Sequence, residues 1–279
     1  MEDGKYLQLP EGFKIYYEES GEGTPVVFLH GWNSSHEVFG QVISQLKGCR
    51  CISYDCRGHG KSTAPINGTT LDALAKDLHE LLVHCGLEGV ILAGWSMGAA
   101  VIWRYVRRYG CERLAHLVLI DMSPKVMNDE GWKLGLWKGE YTVENYIHDM
   151  TIGFTDFSRF AADGTWEKYN LETKASPPAT AENHNYFVLL SLWHSMMVTD
   201  CREDLSKILV ETDIFYGSPG DKYLPETADY LAQHIPAGTR LVPFYGCGHD
   251  LIWQDAPKFL SEMQRVIEKF KGRKPYDKE

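Results

Sequence analysis

Gly94-Trp95-Ser96-Met97-Gly98 sets a serine between two glycines, with an apolar run before it and a helical run after it. On its own the pentapeptide could be an ordinary turn. At a sharp strand-to-helix turn, however, such a serine is held in a strained conformation with its hydroxyl exposed. Gly94, Gly98, Ala99 and Ala100 give that turn its clearance. The helix beginning after Ser96 would aim its first amides and positive dipole end at developing negative charge.

A serine hydroxyl is a weak nucleophile until a base takes its proton, and the chain order for this kind of turn is serine, acid, histidine. Of eleven histidines, His249 in "YGCGHD" alone combines that order with a place at a strand end. The acid must fall between the two. Asp221 in "YGSPGDKYLP" follows an expected strand on a Gly/Pro-rich loop and is the favoured candidate, with Asp121 at the end of "LVLID" as its rival. Asp213 falls inside a strand. Backbone donors for an oxyanion are expected from Met97, just after the serine, and from Trp32 in "LHGWNSS", where Gly31 lets the chain turn. His59 in "RGHGKS" precedes the serine and is expected to shape its own loop.

These residues need elements to hold them. Short apolar runs at 25–30, 51–55, 89–94 and 114–122 read as strands, and "LDALAKDLHELLVHCG" and "SMGAAVIWRYVRRYG" as helices between them. After residue 206 the alternation resumes: a strand at 208–217, a helix at 226–235, a strand at 239–246 and a last helix at 256–270. Such alternation implies an α/β fold, a mostly parallel doubly wound sheet with helices on both faces. Residues 124–206 break the pattern. They hold no clear strand but many aromatics, among them Trp132, Trp137, Phe154, Phe157, Trp166 and Trp193, with "ASPPAT" at 175–180 as an interruption. The reading is a core of residues 1–123 and 207–279 with a helical cap at 124–206, inserted after strand 6 as a lid over the strand ends.

The net charge of −10 over 279 residues excludes sequence-independent binding to nucleic acid or to an anionic membrane. The first twenty residues lack a basic flank and an apolar h-region, and no run reaches the length of a membrane span, so a cytoplasmic protein is expected. The seven cysteines are odd in number and have no zinc spacing, which points to reduced thiols that serve in packing.

"VVFLHGW", "YDCRGHGKS", "GWSMGA", "GSPGDKYLP" and "GCGHDLIWQDAPKFL", in this order and spanning nearly the whole chain, resemble the α/β-hydrolase superfamily. The look is closest to small serine esterases and cofactor-free haloperoxidase-like members. The resemblance implies Ser96 as nucleophile, Asp221 as acid, His249 as base, and the Trp32 and Met97 amides as oxyanion donors. A serine at the turn departs from relatives that open epoxides or displace halide, which carry aspartate there. "SPGD" lacks the polar residue that usually precedes the family's acid.

The expected reaction is hydrolysis of a carboxylic ester or lactone through an acyl-enzyme, with no metal or organic cofactor. Trp32, Trp95, Trp137 and Trp193 are the candidate pocket walls, suited to a small apolar or aromatic substrate, and the protein is expected to be a monomer or homodimer. The alternatives are a thioesterase, C–C hydrolase or perhydrolase using the same triad, or a ligand-binding receptor on the same fold.

Overall fold

The computed structural model describes residues 4–65, 67–155, 185–273 and 275–276. Its centre is an eight-stranded sheet. In chain order the strands are β1 (Lys5–Gln8), β2 (Lys14–Ser20), β3 (Thr24–Leu29), β4 (Cys49–Tyr54), β5 (Val90–Trp95), β6 (Leu114–Ile120), β7 (Thr212–Pro219) and β8 (Thr239–Cys247). They lie side by side as β1-β2-β4-β3-β5-β6-β7-β8. Pairing is antiparallel for β1–β2 and β2–β4 and parallel everywhere else. β5 and β6 are buried along their whole length, as central strands covered on both faces must be, and so read as continuous apolar runs.

Helices cover both faces. On one side lie α1 (Gly40–Ile43) and the C-terminal helix; on the other lie α2 (Leu71–His84) and α3 (Met97–Tyr109). Leu74, Leu78, Leu81 and Leu82 of α2 fall on one stripe and are all buried, and the Thr70 hydroxyl caps the helix by accepting from the Ala73 amide.

The insertion between β6 and β7 contributes two described α-helices, α4 (Val143–Thr155) and α5 (Tyr186–Val198), and a 3-10 helix at Arg202–Lys207. α5 sits on the core. Its Ser191 hydroxyl donates to the Thr69 carbonyl, and its Ser195 hydroxyl accepts from the Leu71 amide, each at 3.0 Å. Phe157, Trp166 and the stretch 175–180 lie outside the described residues. The chain then runs through α6 (Pro225–His234), α7 (Leu251–Gln254) and α8 (Ala256–Lys269). Phe259, Met263, Val266 and Ile267 of α8 are buried against the sheet. All seven cysteines are free. Among the described residues no helix is long and apolar enough to cross a membrane.

Candidate active site

Ser96 stands between β5 and α3 at φ 54°, ψ −120°, a left-handed conformation that L side chains rarely adopt. Two contacts enforce it. The Ser96 amide donates to the Ile120 carbonyl at the end of β6 (2.9 Å), and α3 crosses so close to β3 that a Cβ on Gly98 would lie 2.3 Å from the Leu29 oxygen. Strain of about 1–3 kcal/mol at such a residue persists only where the surroundings over-determine it. Met97 opens α3, so its amide is among the four with no intrahelical acceptor.

The loop after β3 lies directly against the serine. A Cβ on Gly31 would stand 3.2 Å from Ser96 Cβ. Two buried histidines hold this loop from below. His30 Nε2 accepts from the Cys56 amide (3.0 Å), which leaves Nδ1 to donate to the Gly31 carbonyl (2.7 Å). His59 Nε2 likewise accepts from the Asn33 amide (3.3 Å), with Nδ1 facing the Arg57 carbonyl. His59 thus reaches beyond its own loop, where it was expected to act, to hold the loop after β3 as well.

A third histidine ties the loop's far end to β4. His36 lies between Asp55 (Nδ1 to Oδ1, 2.8 Å) and Glu18 (Nε2 to Oε1, 3.2 Å). Burial opposes its charge, but the Asp55 hydrogen bond and the two negative charges outweigh burial and raise its pKa above 6.5, with Lys61 opposing them slightly. For Asp55, burial is again the opposing effect, and the His36 contacts hold the carboxyl below its ordinary 3.8. A raised folded-state pKa contributes stability that is complete below about pH 6.5 and is lost as pH rises through the folded value; Asp55's share is present above its ordinary pKa and lost as pH falls below it. Wild type should therefore exceed His36→Gln in urea midpoint most clearly near pH 5–6, with the gap shrinking at alkaline pH. A gap that widens from pH 6 to 9 would contradict the charged pair.

His249 follows β8 and is 5 % exposed. Its ring does not meet the aspartate expected. Asp121 at the end of β6, not Asp221, holds the imidazole, with 2.7 Å between His249 Nδ1 and Asp121 Oδ2. Asp221 binds the backbone instead, its Oδ1 accepting from the amides of His249 and Lys222, both at 2.7 Å. The reason is register. β6 and β7 are neighbours with Ile120 beside Phe215, so Asp121 leaves the sheet next to β7 and its Oδ1 takes the Gly217 amide (3.1 Å). Asp121 adopts φ 45°, which turns its carboxylate across the strand ends. Both aspartates are buried. With Nδ1 on Asp121, Nε2 is the ring nitrogen left for the serine side.

Ser96 and His249 line one cavity of about 250 Å³. Of the four tryptophans named from the sequence, Trp32, Trp95 and Trp193 line it. Trp137 does not: the chain turns through left-handed conformations at Trp137 and Lys138, the indole is 2 % exposed in the core, and Leu136 takes the wall position. Residues the sequence reading missed include Met122, Met196, Met197 and Tyr223. The run "FVLLSLWHSMM" is apolar almost throughout, so its period could not say which side faces a cavity; in α5 Phe187, Ser191, His194 and Val198 form the exposed stripe. The Tyr223 hydroxyl donates to Met122 Sδ (3.2 Å), and burial, then the Asp121 charge, push its phenol pKa up. Among the described residues no cluster of metal-ligating side chains forms.

Comparison with known proteins gives a consistent result. A model of the alpha/beta hydrolase fold matches residues 24–256. The chain is 32% identical to the AB hydrolase superfamily protein YisY of Bacillus subtilis, over 92% of this chain and 97% of that protein. It is 35% identical to a bifunctional esterase/perhydrolase of Acinetobacter calcoaceticus, over 94% and 99% of the two chains. Among solved structures, an esterase from Exiguobacterium antarcticum superposes with a TM-score of 0.85 at 27% identity, covering 95% of this chain and 99% of that one.

Proposed function

Because the chain belongs to the α/β-hydrolase fold family, we propose that it hydrolyses carboxylic esters or lactones of small apolar or aromatic substrates through an acyl-enzyme on Ser96. One observation carries the reading: the strained serine and a histidine with a carboxylate on its ring line the same cavity. His249 Nε2 takes the Ser96 proton as Oγ attacks the carbonyl, and Asp121 stabilises the imidazolium and keeps Nδ1–H in place. The oxyanion rests on the amides of Trp32 and Met97, each worth about 10²–10³ in turnover. His249 then protonates the leaving alcohol and activates water to release the acid. Asp221 positions His249 through its backbone. The cavity walls of Trp32, Trp95, Trp193 and the methionines support a short-to-medium apolar acyl or alcohol part. The inserted helices act as a cap over it.

A second reading uses the same intermediate. Hydrogen peroxide in place of water would release a peracid, an activity in the name of the Acinetobacter relative. The test is a panel of p-nitrophenyl esters of two to eight acyl carbons, assayed with and without peroxide, beside a fluorophosphonate probe. Ester turnover with stoichiometric labelling is expected, strongest for short acyl chains. A folded protein that neither turns over an ester nor takes the label would overturn the acyl-enzyme.

A further inference from the structure

The residue assigned as oxyanion donor through its backbone is also tied to the cap through its side chain. Trp32 Nε1–H donates to the Leu189 carbonyl of α5 at 2.7 Å. Its indole packs against that of Trp193, one turn further along α5, with ring centroids 5.0 Å apart. Trp193 is held in turn: its Nε1–H donates to the Tyr141 hydroxyl (3.3 Å), which donates to Asp149 of α4 (2.6 Å). Tyr141 is fully buried and lies off the cavity. The peptides on either side of Trp32 are fixed from the core, by His30 on the Gly31 carbonyl and His59 on the Asn33 amide. The side chain is therefore a third anchor of the loop, and it comes from the inserted helices.

Resting on the acyl-enzyme reading above, we propose that Trp32 is a positioning residue that makes the oxyanion donor depend on a seated α5. The cap then does more than wall the substrate in. The indole anchor limits rotation of the Trp32 backbone, and a donor aimed at the oxyanion acts on the transition state and not on the bound ester.

The experiment compares wild type with Trp32→Phe, which keeps an aromatic ring against Trp193 but removes the N–H. Steady-state ester kinetics are paired with inhibition by a trifluoromethyl ketone, which binds as an oxyanion adduct of the serine, and by a methyl ketone of the same shape, which probes ground-state binding. Trp32→Phe should lower kcat by about 3–10-fold, the size of one neutral hydrogen bond, with KM within about twofold. Trifluoromethyl ketone affinity should fall in the same proportion and methyl ketone affinity should not. Tyr141→Phe, remote from the cavity, should shift kcat and trifluoromethyl ketone affinity in the same direction by less, and it carries the test should Trp32→Phe not fold. Unchanged kcat and trifluoromethyl ketone affinity, or a rise in KM alone, would overturn the inference while leaving the acyl-enzyme standing. A wild type without turnover would instead remove the reading on which it rests.

Discussion

Asp121→Asn should lower kcat by about 10⁴-fold at neutral pH while the protein stays folded, because the amide matches the carboxylate in shape but carries no charge to stabilise the imidazolium. The Asp121 carboxylate makes two contacts, one to the His249 ring and one to the Gly217 amide. An asparagine that keeps its oxygen on Gly217 must present –NH₂ to His249, which forces the wrong ring tautomer. Asp221→Asn should behave differently. Its oxygen can still accept from the His249 and Lys222 amides, so kcat should fall by no more than about tenfold. Asp221→Ala should mainly cost stability, about 1–3 kcal/mol for each buried amide it strands. The comparison is direct: kcat of both asparagine variants on one p-nitrophenyl ester, with circular dichroism as the control. A collapse of Asp221→Asn with Asp121→Asn near wild type would return the role of acid to the loop after β7.

Ser96→Ala should lose about 10⁶-fold in kcat and all fluorophosphonate labelling, since removing a nucleophile alone costs about as much as removing the whole catalytic set. The backbone conformation adds a signature that a plain surface serine would lack. Alanine keeps the Cβ that makes φ 54° unfavourable, whereas glycine reaches that region freely. Ser96→Gly should therefore be equally inactive yet more stable than Ser96→Ala, by about 1 kcal/mol or more if the strain is of the usual size. Intact mass after probe treatment reads the first effect and thermal unfolding the second. A label retained by Ser96→Ala would place the nucleophile elsewhere.

The positions of Ser96 and His249 were legible because each depends on short-range features. A serine between small residues at the junction of an apolar run and a helical one defines its own turn, and Gly246 and Gly248 mark the loop that carries the histidine. The alternation of strand and helix from 24 to 122 was equally local, and the parallel order β4-β3-β5-β6-β7-β8 follows it. The strands β1 and β2 escaped. Their runs "KYLQ" and "KIYYEES" are short and half polar, as suits an antiparallel edge with one solvated side.

The choice of acid and the fate of the tryptophans were of another kind. Asp121 and Asp221 both follow strands, both are buried, and both reach His249. What separates them is which atom each meets, and that is set by the side-by-side packing of β6 and β7, nearly a hundred residues apart in the chain. Trp137 and Trp193 have the same composition-level claim on the pocket, but a left-handed turn sends one into the core while α5 presents the other to the cavity. By itself the sequence determined the fold, the serine and the histidine, because these follow from patterns within a few residues. Only the tertiary structure decided which carboxylate faces the ring and which rings face the cavity, because those contacts join distant segments and turn on ångström-scale direction.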